Sequence, residues 1–399
     1  MLLPFPEKNK NKINPSHLFL PIMHVPELTL RWKELIFISF CLITLIQLFY
    51  YSFFFARLVF FEQQSKTVTQ THPVSVIICA KDEAENLSKN LLGALVQKYS
   101  TTHEVIVIND NSFDESKYIL EEYQRIYKQL QLVELKQEAR FIQGKKFPLS
   151  IGIKTAKHEI VLLTDADCVP ASEFWIEKMQ DGYRDGTEIV LGYGALHKKK
   201  GLFNKLVRWE TFHTALQYLS YALAGLPYMG VGRNLSYKKS IFFRHKGFSS
   251  HNNIPGGDDD LFINKSATKS NTAIIIDKDA FTLSSPAASW KQWKRQKARH
   301  YTTSKYYKSV HKFLLGLYAF SHFFFYPLFV AAILFFSWRW ALIVFGIRFM
   351  LQGMVLFNVT KKLDEKDLFP WFLVLDIWMF FYYILFASAL YKKPSKGWK

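Results

Sequence analysis

The chain has 399 residues, 51 Lys+Arg against 33 Asp+Glu for a formal charge of +18, and 37 Phe, 20 Tyr and 10 Trp. That length accommodates one sizeable soluble domain plus membrane segments, and the aromatic enrichment fits spans with interfacial belts. The basic residues flank apolar runs and form no zinc-finger, homeodomain or RNA-recognition pattern, which excludes nucleic acid and leaves lipid headgroups and phosphates as partners.

Residues 1–34 are polar and Pro-containing, carry Lys8, Lys10 and Lys12, and read as a disordered tail in which Met23 offers an alternative start. No signal-peptide cleavage site is evident. From 35 to 61 the chain is apolar apart from Gln47 and Arg57, long enough for a transmembrane helix. The alternative, a buried core helix, seldom runs this long without a polar face. Cys41, Cys79 and Cys168 are scattered, show neither metal-ligand spacing nor a disulfide framework, and fit a reducing, cytosol-facing domain.

Residues 72–290 read as one α/β domain. Val74–Cys79, Glu104–Ile108, Gln131–Leu135 and Glu159–Thr164 are strand-like runs, and 83–97, 114–130 and 145–156 are helical patterns between them. Alternation of this kind predicts a mostly parallel, Rossmann-like sheet whose ligands bind beyond the carboxyl ends of the strands. Asp82, Asp110 and the pair Asp165/Asp167 all fall at or just past such ends. Asp82 either accepts hydrogen bonds from a nucleoside or caps the next helix. Ser112 and Asp114 shape the turn after the second strand. Lys145, at a helix start, either meets a diphosphate or belongs with Lys146 to a solvated basic turn. Asp165-Ala166-Asp167 places two carboxylates one residue apart at a strand end, a set suited to Mg²⁺ or Mn²⁺ shared with substrate phosphates. No G-x-G-x-x-G follows the first strand, which argues against a dinucleotide fold.

Residues 291–312 are basic and aromatic, as in an interfacial amphipathic segment. Three apolar segments follow within 313–391, interrupted by Pro327, Arg348 and Asp376, and a basic tail spans 392–399. Arg348 and Asp376 face a polar pathway, or pair between helices. Four spans put both termini opposite the catalytic domain. Lys and Arg near the spans place that domain in the cytoplasm and the protein in the cell (inner) membrane. A re-entrant hairpin among the last segments would move the C-terminus.

The series SVIICAKDEAENL, VIVINDNSFDES and GKKFPLSIGIKTAKHEIVLLTDAD resembles the family-2 inverting glycosyltransferases of GT-A fold, across the whole soluble domain and into the flanking spans. The resemblance implies that Asp82, Asp110 and Lys145 bind a nucleotide-sugar donor, UDP-linked as the first expectation, and that Asp165 and Asp167 hold the metal on its diphosphate. Gly256-Gly257-Asp258-Asp259-Asp260-Leu261 is similar to the family's segment carrying the catalytic base. Counting back from Leu261 puts the base on Asp258; the G-D-D alignment puts it on Asp259. Three adjacent carboxylates repel, so one is expected to hold its proton above the usual range. Gln296-Lys297-Ala298-Arg299-His300 resembles Q-x-x-R-W with His in place of Trp. It implies Gln296 and Arg299 on the donor pyrophosphate and His300 beside the acceptor. Gly230–Tyr237 resembles the segment before the acceptor site, which implies acceptor contacts for Arg233 and Asn234, joined by Asp260. The acceptor is then a lipid, a lipid-linked molecule or a polysaccharide. The rivals are a nucleotidyltransferase, which releases pyrophosphate, and a non-catalytic membrane scaffold.

Overall fold

The computed structural model describes residues 27–63, 72–136 and 144–388. Met23, most of the expected tail and the basic segment 392–399 lie outside these. Helix α1 (Glu27–Phe49), a π-helical stretch (Tyr50–Phe55) and α2 (Ala56–Phe60) follow one another directly. Residues 27–34, expected in the tail, are helical because no Pro or Gly interrupts 27–49. The wider π turn lets Tyr50, Tyr51, Phe54 and Phe55 all be buried.

The parallel core is β1 (Val74–Ala80), α3 (Ala84–Leu95), β2 (His103–Asp110), α4 (Ser116–Ile126), β3 (Leu130–Leu135), α5 (Lys146–Thr155) and β4 (Ile160–Asp165). Every residue of β1 is buried, as in a strand covered on both faces. A Cβ on Gly152 would sit 2.6 Å from Ile108 Cδ1 and 2.7 Å from Ile77 Cγ2, so glycine there lets α5 lie close on the sheet.

The chain then adds β5 (Cys168–Pro170), α6 (Trp175–Gln180), β6 (Ile189–Leu191), β7 (Gly194–Leu196), α7 (Leu202–Leu223), β8 (Leu235–Lys238), α8 (Lys239–Arg244), α9 (Asp260–Ser266), β9 (Thr272–Ile274) and β10 (Thr282–Ser284). The main sheet has seven strands in the order β3-β2-β1-β4-β8-β6-β9, and a three-stranded sheet runs β5-β10-β7. Pairs β3/β2, β2/β1 and β1/β4 are parallel, whereas β8 is antiparallel to both β4 and β6. The architecture is GT-A-like, with a mostly parallel sheet.

Helix α10 (Trp290–Ser304) leads to α11 (Ser309–Phe335), α12 (Trp338–Lys362) and α13 (Phe372–Ala387). Four helical stretches, Trp32–Phe60, Ser309–Phe335, Trp338–Lys362 and Lys366–Ala387, are long and apolar enough to cross a membrane. The expected interfacial segment divides: 309–312 begin α11, and α10 buries one side against α13. Arg348 and Asp376 pair with each other at 2.8 Å, both buried, with Gln352 (2.6 Å) and Tyr326 (2.5 Å) also donating to the carboxylate. They are therefore a contact between helices.

Helix α7 packs between the sheets and the candidate membrane helices, touching the π turn, α2, β7, β9 and α13. Its Arg208 is buried against Glu365 and Asp367 of the segment joining α12 to α13.

Candidate active site

Parallel pairing of β1 with β2 aligns Ala80 with Asn109, so the turns that follow meet. Asp82 and Asn111 both adopt φ 52°, a left-handed conformation that Asp and Asn tolerate. Asp82 Oδ1 accepts the Phe113 N–H at 2.8 Å, and its own N–H donates to Ser112 Oγ at 2.9 Å. Asp114 accepts from Ala84 N–H at 2.9 Å and Ser116 N–H at 3.0 Å, bracing the start of α3. Asp82 therefore locks two turns together rather than capping α3, with its side chain exposed. Asp110, nearly buried, accepts from Asn111 Nδ2 at 3.1 Å.

Asp165 closes β4 beside Cys79 of β1. One oxygen each from Asp165 and Asp167 and the Cys168 sulfur lie within 4.8 Å of one another, the one such group among the described residues. Lys145, at the N-terminus of α5, forms an ion pair with Asp165. Burial pushes Asp165 up, but the Lys145 ammonium outweighs it and holds the carboxyl below its ordinary value. Burial, then the charge of Asp165, pushes Asp167 up. Burial also keeps the Cys168 thiol protonated, and it donates to Asp167 at 3.3 Å. The donor set fits a hard divalent cation: two carboxylates, one of them short of positive charge, with the sulfur a proton donor.

Arg233, expected at the acceptor, donates to Ser284 Oγ at 2.8 Å, and its charge acts on Asp165 and Asp167. Asn234 is fully buried. Its Nδ2 donates to Tyr193 O (3.0 Å) and Ala280 O (2.7 Å), and its Oδ1 accepts from Trp175 Nε1 (3.0 Å). This is a framework role in place of the expected acceptor contact, because burial left its amide no alternative to internal partners.

In the acidic triplet, Gly257 at φ 87° makes the turn into α9. Asp259 caps that helix: Oδ1 accepts from Asp260 N–H at 2.7 Å and Oδ2 from Gly232 N–H at 2.8 Å. Burial, with the neighbouring charges of Asp258 and Asp260, pushes Asp259 up to about 8. Asp260 is buried and accepts from Tyr307 OH at 2.7 Å and from Thr303 Oγ1. It too belongs to the framework, tying α9 to the end of α10, so the expected acceptor contact is not where it sits. Asp258, half-buried, acts on Cys79, Lys145 and Lys146. Lys146 is no solvated turn: it is fully buried and donates to Ile254 O.

The charge of Arg299 on α10 also reaches Asp165. Gln296, three residues earlier, and His300 are exposed. Beyond the ends of β1, β2 and β4, Asp110, Asp165, Asp167 and Asp258 thus lie close enough to Lys145, Arg233 and Arg299 for their charges to act on one another. Sequence reasoning missed Thr303 and Tyr307, which no motif marks, and the structural load on Lys146.

Strand-end carboxylates around a D-x-D turn, on a sheet of this order, are the arrangement of a GT-A-like domain. Residues 75–249 match the model "Glycosyl transferase family 2". The chain is 34% identical to glycosyltransferase AglE of Haloferax volcanii over 114 residues, 28% of this chain and 36% of that protein. It is 28% identical to the poly-beta-1,6-N-acetyl-D-glucosamine synthase of Staphylococcus epidermidis over 140 residues, 34% of this chain and 32% of that one. The matches thus span about a third of the length of these curated relatives. In three dimensions the chain resembles the mannosyltransferase PcManGT from Pyrobaculum calidifontis, solved with GDP-Man and Mn²⁺. The TM-score is 0.55 at 18% identity, over 87% of this chain and 99% of that chain, which shows a shared fold.

Proposed function

We propose that the protein is a membrane-integrated, metal-dependent inverting glycosyltransferase that moves a sugar from a nucleotide diphosphate to a lipid, lipid-linked or polysaccharide acceptor. The observation that carries this is the closeness of Asp165, Asp167, Lys145, Arg299 and Asp258 beyond the strand ends. Asp165 and Asp167 hold the cation, Mg²⁺ or Mn²⁺, which offsets charge on the departing diphosphate. The Mn²⁺ in the structurally similar mannosyltransferase supports that reading. Lys145 and Arg299 bind the diphosphate, and Gln296, one helical turn before Arg299, supports it. Asp82 and Asp110 face the nucleoside.

Asp258 is the base. Asp259 spends both oxygens on backbone N–H groups, and Asp260 is bound to Thr303 and Tyr307. Asp258 takes the proton of the acceptor hydroxyl as that oxygen attacks the anomeric carbon. The bond to the diphosphate breaks and the diphosphate leaves with the electron pair, inverting the centre. His300 lies beside the acceptor path. UDP is the first expectation for the nucleotide, and GDP is the second, from the GDP-Man of the similar structure. Four candidate spans joined to α10 bring the site to a membrane surface and favour a lipid acceptor over an extruded polysaccharide. Lys312, Lys361 and Lys362, at the catalytic ends of their helices, support a cytoplasmic domain at the inner membrane.

The test is a panel of UDP- and GDP-sugars with purified full-length protein, with Mn²⁺ or with EDTA. Metal-dependent release of nucleoside diphosphate is expected. Release of pyrophosphate would instead make it a nucleotidyltransferase, and binding of UDP and Mn²⁺ without turnover of any donor would make it a scaffold.

A further inference from the structure

Helix α10 carries a stripe at a spacing of four residues: Trp293, Lys297 and Tyr301. Trp293 packs on Trp378, Tyr382 and Phe386 of α13, with ring centroids 6.1, 5.8 and 5.3 Å apart. Tyr301 stacks on Phe386 at 5.6 Å and 8°. Between these aromatic contacts, where an apolar residue would pack as well, stands a lysine.

The Lys297 side chain is 12% exposed and forms an ion pair with Glu210 of α7, itself 5% exposed. Glu210 also accepts from Thr214 (3.1 Å) and from Tyr382 OH of α13 (3.3 Å). One carboxylate therefore joins the catalytic domain, the motif-bearing helix and the last candidate span. A buried ion pair seldom adds stability over well-packed apolar residues, and its best-attested use is to fix register. Aromatic faces alone allow α10 to turn about its axis. Lys297 and Arg299 are two residues apart, about 200° around the helix, so the pose that buries Lys297 on Glu210 turns Arg299 to the other side. That side is where the charge of Arg299 reaches Asp165. The far end of α10 is held separately, by Thr303 and Tyr307 on Asp260.

We infer that Lys297, seated on Glu210, is a positioning residue that sets the rotation of α10 and so presents Arg299 to the donor diphosphate, which makes α13 part of the active-site scaffold. This rests on the reading of Arg299 as a diphosphate ligand.

Full-length protein in lipid nanodiscs is titrated calorimetrically with UDP and with GDP in the presence of Mn²⁺. Lys297→Met and Glu210→Gln are each expected to weaken the preferred nucleotide by about tenfold, and Arg299→Ala by at least as much. Lys297→Met combined with Arg299→Ala should bind no more weakly than Arg299→Ala alone, because Lys297 acts through Arg299. The exchanged pair Lys297→Glu with Glu210→Lys should regain most of the affinity, and carries the same comparison if a single variant does not fold. Losses that multiply in the double variant, or undiminished affinity in both Lys297→Met and Glu210→Gln, overturn the inference and leave Arg299 in its role. Wild-type affinity in Arg299→Ala, or a wild type that binds neither nucleotide, overturns the functional reading and the inference together.

Discussion

The Lys145 ammonium rests on the Asp165 carboxylate, in the position where a cation bound to the D-x-D pair would draw on the same oxygens. On the proposed reading, Lys145 and a metal would compete for Asp165 until a diphosphate gave Lys145 another anion. Lys145→Met should bind Mn²⁺ alone about tenfold more tightly, since an opposing positive charge is removed, while turnover of the nucleotide-sugar falls. Asp167→Ala should lose both Mn²⁺ binding and metal-dependent turnover. Manganese titrations followed by paramagnetic resonance distinguish the variants, and unchanged or weaker Mn²⁺ binding in Lys145→Met would remove the competition.

Asp259 and Asp260 of the triplet are held by hydrogen bonds, and Asp258 is the proposed base. Asp258→Asn should block transfer while sparing nucleotide binding. Asp259→Ala should chiefly weaken the cap of α9, a loss of about 1 kcal/mol. Steady-state kinetics and nucleotide titration on the two variants decide this, and full activity in Asp258→Asn would reject it as the base.

The raised value of Asp259, about 8, has a signed consequence for stability. Between an unfolded value near the usual carboxylate range and about 8, the folded protein binds more protons than the unfolded chain. Stability linked to this group is therefore present at low pH and lost as pH rises through that window. Melting temperatures at pH 5.5 and 8.5 should fall with pH in the wild type, and the fall should be smaller in Asp259→Asn. An identical pH slope in the two would show that the triplet does not hold this proton.

Within the candidate membrane helices, Arg348→Met leaves Asp376 without its cation and should cost about 3–5 kcal/mol. Arg348→Met with Asp376→Leu should recover most of that, because two apolar residues replace a whole pair. Thermal unfolding in detergent measures both, and a double variant no more stable than Arg348→Met would contradict a simple pairing role.

Much of the catalytic core was legible in advance. Val74–Ala80, His103–Asp110 and Ile160–Asp165 are largely apolar runs with an acid at their end or two residues beyond it, and burial on both faces of a parallel sheet writes that signal locally. The strands β6 to β10 are three or four residues each, too short for a period to show. Helix α7 escaped for a different reason. Fifteen of its residues are buried, including Arg208, Glu210 and His213, so it has no polar face to betray it.

The residue order by itself determined which segments are apolar enough to be strands or spans and which acids stand at strand ends, because both depend on near neighbours along the chain. Only the folded chain decided that Asn234 and Asp260 are held by internal hydrogen bonds, that the charge of Arg233 reaches the D-x-D pair, and that Asp259 is tied to two backbone N–H groups, which leaves Asp258 as the proposed base. Those roles depend on which distant N–H, hydroxyl or ammonium group arrives beside each side chain, as Thr303 does beside Asp260 and Gly232 beside Asp259. Once buried, a polar atom is committed to the partner the fold supplies.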